Sequence, residues 1–131
     1  MTDSERTVLV VDDDRAFATL TATHLREALP GVDVEVRVDP RAAIESLGRA
    51  DAVVSDHEMP AMTGLDLLCV ARRRAGDLPF VLFTGCESAA VREGADAAGA
   101  TGYVSKHECH AFDAVVRAVS ASLDARVEAT P

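Results

Sequence analysis

The chain carries one lysine, Lys106, which closes the run Gly102-Tyr103-Val104-Ser105, while its twelve other basic residues are all arginines. Three earlier apolar runs also end in polar groups. Val8-Leu9-Val10-Val11 ends in Asp12-Asp13, Ala52-Val53-Val54-Ser55 in Asp56, and Phe80-Val81-Leu82-Phe83 in Thr84. Four strand-like runs therefore stop at carboxylate, carboxylate, hydroxyl and amine. In an open parallel sheet the C-terminal ends of the strands share one edge, and doubly wound proteins place their ligands there. Asp12, Asp13, Asp56, Thr84 and Lys106 would meet at that edge. Three carboxylates held together repel one another and attract a hard divalent cation, and a hydroxyl and an ammonium beside it suit phosphoryl oxygens. The expected chemistry is phosphoryl transfer at an acidic metal site.

The elements that would hold these residues alternate. Strand-like runs at roughly 7–12, 33–38, 51–56, 79–84 and 101–105 are separated by five helix-like runs, the signature of an α/β fold with a doubly wound five-stranded parallel sheet. The first run is apolar throughout, as a strand covered on both faces must be. Val32-Asp33-Val34-Glu35-Val36-Arg37-Val38 alternates with period two and belongs at an edge. An outer second strand matches the flavodoxin-like order 2-1-3-4-5, whose switch point lies between strands one and three, above Asp12, Asp13 and Asp56.

The first helix, roughly 15–29, carries Phe17, Leu20, Leu25 and Ala28, with Asp14 as its N-cap and Pro30-Gly31 as its stop. The second opens at Pro40 and carries Ala43, Ile44 and Leu47. The third follows Thr63-Gly64, ends near Gly76 and sets Arg72-Arg73-Arg74 at the negative end of its dipole. The fourth, roughly 87–98, is the weakest, with Val91 its only large apolar residue and Gly94 inside it. The fifth, from about 109, has a stripe of Phe112, Val115, Val116, Val119, Leu123 and Val127, long enough to outrun a small sheet.

Length allows one domain, residues 1–131, with a core at about 7–120 and a helical extension or tail at about 121–131. Residues 1–7 lack a signal-peptide core and no apolar stretch matches a membrane span, so the expectation is a soluble cytoplasmic protein that does not engage a membrane. Three cysteines, Cys69, Cys86 and Cys109, without an export signal argue for reduced thiols. A net charge of −9 argues against direct nucleic-acid binding. The acid excess, with arginine in place of lysine, also fits a high-salt cytoplasm, where screening relieves self-repulsion. A GC-rich genome would favour the same arginines and alanines.

Five separated motifs agree in order and spacing: Val10-Val11-Asp12-Asp13, Ser55-Asp56, Met59-Pro60 with Met62-Thr63-Gly64, Leu82-Phe83-Thr84-Gly85, and Tyr103-Val104-Ser105-Lys106. Together they resemble the receiver domain of two-component response regulators, of the chemotaxis-receiver type, over nearly the whole chain. The resemblance implies a signalling module that catalyses only its own phosphorylation and dephosphorylation. Asp56 would be the phospho-acceptor, taking a phosphoryl group from the phosphohistidine of a sensor histidine kinase. Magnesium would be held by Asp13, Asp56 and the backbone carbonyl of Glu58, with Asp12 acting directly or through water. Lys106 would pair with one phosphoryl oxygen and Thr84 would donate to another, while Tyr103 changes rotamer with Thr84. The surface of the fourth helix, fifth strand and fifth helix would then meet a downstream effector or a second copy of the chain in a homodimer.

The sequence departs from the family at two points. Proline often follows the lysine there, joined by a cis bond, but His107 follows Lys106, and a non-proline cis bond costs about 2.5–4 kcal/mol. Glu58 adds a carboxylate two residues beyond Asp56, at a position that in the family influences dephosphorylation rate and where it could also add to metal affinity. Other readings remain. Asp12-Asp13-Asp14-Arg15-Ala16 lacks the final residue of the nucleophile loop of haloacid-dehalogenase-type phosphatases, for which the chain is also short. A receiver fold that binds partners without being phosphorylated is a second alternative, and the N-terminal receiver of a longer regulator or hybrid kinase a third. His107, Cys109 and His110 raise a soft-metal site, short of the four spaced ligands of structural zinc. Cys86 either lines the site mouth or simply packs, and His24 reads as a partly exposed helix residue.

Overall fold

Val8, Leu9, Val10 and Val11 present branched apolar side chains to both faces and are fully buried or nearly so in β1 (Arg6–Val11). In a computed structural model of the chain, which describes residues 6–86 and 88–129 and side chains as far as Arg126, β1 lies inside a five-stranded sheet. Its partners are β2 (Val32–Arg37), β3 (Ala52–Ser55), β4 (Phe80–Thr84) and β5 (Gly102–Ser105). All pairings are parallel and the order is β2-β1-β3-β4-β5, with the alternating strand at an edge as its pattern requires. The fold is the flavodoxin-like doubly wound sheet expected from the sequence.

Register aligns the strand ends. Val11 pairs with Ser55, so Asp12 and Asp56 leave neighbouring strands side by side. Thr84 pairs with Ser105, which brings Lys106 to the same edge. Period-two alternation then divides the core. Val8, Val10, Val54, Val81 and Phe83 face α1 (Arg15–Ala28) and α5 (Ala111–Ala129). Leu9, Val11, Val53, Phe80 and Leu82 face α2 (Pro40–Ile44), α3 (Gly64–Ala75) and α4 (Ala89–Ala97). Among the described residues no helix is long and apolar enough to cross a membrane.

Several helices differ from expectation in ways that packing explains. Helix α1 buries Ala18, Thr21, Ala22 and Leu25, whereas Leu20 is 46% exposed and Ala28 is exposed. Ala18, Ala22 and Leu25 recur at helical spacing, while Leu20 lies about 200° round the helix from Ala18. The larger residue is outside because small residues let the helix approach the sheet. Helix α2 ends at Ile44, and Leu47 is buried from a short 3-10 turn, Leu47–Arg49.

Helix α3 starts from a capping box, with Thr63 Oγ1 accepting from Asp66 N and Asp66 Oδ2 from Thr63 N. Gly94 in α4 has a tertiary reason, since a Cβ there would lie 2.9 Å from Leu65 Cδ1 on α3. Glu87, at the expected start of α4, is outside the described residues, and Ser88 caps the helix at Val91 N. Helix α5 begins at Ala111 and buries Val115, Val119 and Leu123, with Phe112 and Val116 partly covered. Val127, which continues the sequence stripe, lies outside the described side chains.

Candidate functional site

Asp12 and Asp56 are each held at the edge by their own backbone. Asp12 N donates to Arg37 O on β2 and Asp56 N to Val11 O on β1, so each continues the sheet by one bond beyond its strand. Both carboxylates are nearly buried, while Asp13 is exposed. Asp12 Oδ1 accepts from Asp14 N at 2.9 Å, and Asp14, as expected, caps α1 by accepting from Phe17 N at 3.1 Å. Asp56 Oδ1 accepts from His57 N at 2.7 Å. Carboxylate oxygens of Asp12, Asp13 and Asp56 all lie within 4.8 Å of one another.

Lys106 closes this triad. Its backbone N–H donates to Thr84 O at 2.9 Å, and its Nζ lies 2.9 Å from Asp12 Oδ2 and 3.4 Å from Asp56 Oδ2. Burial pushes the Asp12 carboxyl above the ordinary aspartate value, with the Lys106 hydrogen bond pulling the other way and Asp56 adding to the rise. One ammonium thus serves two buried anions. The convergent donors are carboxylate oxygens only, a set that suits a hard cation such as magnesium rather than zinc.

Thr84 is buried at the end of β4, and its Oγ1 accepts from Cys86 N at 3.1 Å, which leaves its O–H to donate. Tyr103 donates from its hydroxyl to Cys86 O at 2.7 Å, and the Arg92 guanidinium lies 4.1 Å above its ring. Thr84 and Tyr103 therefore hold the N–H and the carbonyl of the same residue across the loop between β4 and α4. Beside them, Ser88, Ala89, Arg92, Tyr103 and Ser105 line a groove of about 280 Å³. The Cys86 thiol is raised above its usual value by desolvation and then by the nearby Glu58 carboxylate. The backbone of Cys86 is thus a hub that residue types alone did not reveal.

The loop after Lys106 takes its own course. No peptide bond is cis among the described residues, and His107 N donates to Ser105 Oγ at 3.1 Å. The His107 ring covers Gly85, where a Cβ would lie 3.1 Å from Nε2. His107, Cys109 and His110 do not converge on a metal site: among the described residues the acidic triad is the one group of three or more such side chains that does. His110 has a left-handed backbone, φ 60°, and its Nδ1 lies 3.9 Å from Asp113 Oδ2. His24, partly exposed as expected, stacks on Phe112 with ring centroids 4.2 Å apart. Below Asp56, the Gly64 backbone passes so close that a Cβ would collide with Asp56 O and lie 2.8 Å from Leu82 Cδ1. That approach explains the glycine of the Met62-Thr63-Gly64 motif.

This edge has relatives. The chain is 38% identical over 103 residues to the response regulator MprA of Mycolicibacterium vanbaalenii, a match covering 76% of this chain and 43% of that protein. MprA of Mycobacterium ulcerans is 37% identical over the same shares. The chain spans less than half the length of these curated relatives. Among solved structures it is similar to a CheY-like response regulator receiver domain from Methanospirillum hungatei, with a TM-score of 0.85 over 95% of this chain and 98% of that one, at 23% identity. The chemotaxis protein CheY4 of Vibrio cholerae gives 0.79 over 92% and 100%, at 27% identity. The family model of the response regulator receiver domain matches residues 8–119, and the chain belongs to that family.

Proposed function

We propose that Asp56 accepts a phosphoryl group from a phosphohistidine of a sensor histidine kinase, and that the adduct resets the surface of α4, β5 and α5 for a downstream effector. The observation that carries this reading is the seat of Lys106 between Asp12 and Asp56, on the edge that also holds Thr84. In the transfer, an Asp56 carboxylate oxygen bonds to phosphorus as the phosphorus–nitrogen bond breaks, and the departing imidazole nitrogen takes up a proton. The His57 N–H fixes the Asp56 carboxylate plane. Lys106 pairs with one phosphoryl oxygen and the Thr84 O–H donates to another.

Asp13, Asp56 and the Glu58 backbone carbonyl would hold magnesium, with Asp12 direct or through water, and the bound ion would neutralise charge on the phosphoryl oxygens. An inward pull on Thr84 by the phosphoryl group would be carried to Cys86 through its N–H, and Tyr103 holds the carbonyl of that residue. Their shared grip is the element that the adduct biases. The module performs only its own phosphorylation and dephosphorylation. Its contacts are the kinase, the effector and, through α4, β5 and α5, a second copy of itself, without direct contact to nucleic acid or membrane. A cytoplasmic location agrees with three free cysteines, Cys69, Cys86 and Cys109.

Intact mass after incubation with magnesium and a small-molecule phosphodonor tests the reading. One added phosphoryl group is expected, absent from Asp56→Asn and with a chelator. No adduct under any donor or salt condition would favour a receiver fold that binds its partners unphosphorylated.

A further inference from the structure

Lys106 has a third neighbour that the transfer chemistry does not use. Its Nζ lies 4.2 Å from the centroid of the Phe17 ring, on α1 and 89 residues away in sequence (106 minus 17). We propose that Phe17 is a positioning residue for phosphoryl transfer, its ring face seating the Lys106 ammonium between Asp12 and Asp56. This rests on the reading of Asp56 as phospho-acceptor.

The ring is well placed for that task. Its centroid is 5.5 Å from that of Phe83 and 5.4 Å from that of Phe112, and those two rings are 5.7 Å apart. Three of the four phenylalanines of the chain thus form a triangle of rings, of which Phe17 alone lies under the ammonium. Phe83 immediately precedes Thr84, and Phe112 comes from α5, so the seat is tied to the strand that carries the hydroxyl and to the helix after the lysine loop.

The chemistry of a ring face also suits a mobile cation. A carboxylate accepts hydrogen bonds from the ammonium, but an aromatic face attracts it through the quadrupole and takes no lone-pair contact. With one N–H donated to Asp12 and Asp56 paired at 3.4 Å, the face holds the cation from below and leaves it able to turn a donor to an incoming phosphoryl oxygen. Without the seat, the long lysine side chain regains rotamer freedom and meets the phosphoryl group in fewer encounters.

The test replaces Phe17 by 3,4,5-trifluorophenylalanine in the full chain, which keeps the shape and removes most of the quadrupole. The readout is the rate of adduct formation from the same phosphodonor. We expect a slowing of about threefold to tenfold with little change in melting temperature. Phe17→Leu should slow it similarly and Phe17→Tyr should restore it. The same fluorination at Phe112, which is not under the ammonium, should leave the rate within about twofold. An unchanged rate with trifluorophenylalanine at position 17, or equal slowing from position 112, overturns the proposal while the acceptor role of Asp56 stands. No adduct on the native chain overturns both.

Discussion

Replacing Lys106 by methionine should destabilise the metal-free protein, and the distances set the scale. At 2.9 Å and 3.4 Å from two carboxylate oxygens, the ammonium gains gross attractions of about 6 and about 5 kcal/mol at an effective dielectric constant of 20. Desolvation of the three groups and repulsion between Asp12 and Asp56 offset most of this. Removing one partner of a buried pair costs about 3–5 kcal/mol, and the 19% exposure of the Lys106 side chain lowers that to about 2–4 kcal/mol. For a chain of this size the melting temperature should fall by roughly 10 °C at pH 7 in a chelator.

The direction with pH follows from Asp12. Its folded value already lies above the ordinary 3.8, and the Lys106 hydrogen bond is what restrains it, so the methionine variant raises it further. A raised carboxyl binds more protons in the folded than in the unfolded state between its folded value and 3.8. The variant therefore gains stability relative to the native chain as pH falls through that window, and its deficit is largest at pH 7. Magnesium should restore more stability to the variant than to the native chain, because the same anions then lack an internal cation. Calorimetry at pH 7 and pH 5, with chelator and with magnesium, reads all three effects. A fall below about 3 °C, or an equal fall at both pH values, would refute the view that Lys106 holds the carboxylates together.

Arg72 donates to Gly76 O at 2.9 Å, Leu78 O at 2.8 Å and Gly99 O at 2.6 Å, tying the end of α3 to the turn before β5. Arg72→Ala should cost about 2–3 kcal/mol in denaturant melts and Arg72→Lys should recover only part, since an ammonium lacks the planar fork; equal stability of the three proteins would contradict this. Gly64→Ala should cost about 3 kcal/mol and prevent phosphorylation, because the new Cβ meets Asp56 O and Leu82. A variant that melts like the native chain would show that the loop yields. At pH 8 the Cys86 thiol, raised by desolvation and Glu58, should alkylate more slowly than exposed Cys69 and Cys109, and Glu58→Gln should speed it. Peptide mass mapping after a short iodoacetamide pulse would show the reverse order if Glu58 does not face the thiol.

The ends of the strands were legible because two local signals coincide there. An apolar run marks a buried strand, and the polar residue that closes it must stand at the sheet edge. Alternation in Val32–Arg37 then fixed an edge strand, and with it the order that sets β1 beside β3. The cap at Asp14 and the stop at Gly76 were legible for the same local reason. What depends on tertiary approach was not. Leu20 has the larger apolar side chain, yet Ala18 and Ala22 face the sheet, because closeness of α1 to the strands outweighs the size of any one side chain. Gly94 reads as a weakness in α4 until Leu65 is seen where its Cβ would be.

The partners of Lys106 show the same division. Asp12 and Asp56 follow from strand order, while Phe17 follows only from the turn of α1 over the edge. This has a consequence for how the site works. On the proposed reading, Lys106 compensates two buried carboxylates before the phosphoryl group arrives and would be drawn on by the phosphoryl oxygens afterwards. A phosphoryl oxygen that draws on the ammonium would weaken its hold on Asp12, and Asp12 would then stay anionic where another cation takes up the difference. The resting stability of the protein and its proposed readiness to be phosphorylated would therefore be set by one charge. A magnesium ion in the triad, as proposed, would free Lys106 without leaving Asp12 unpaired.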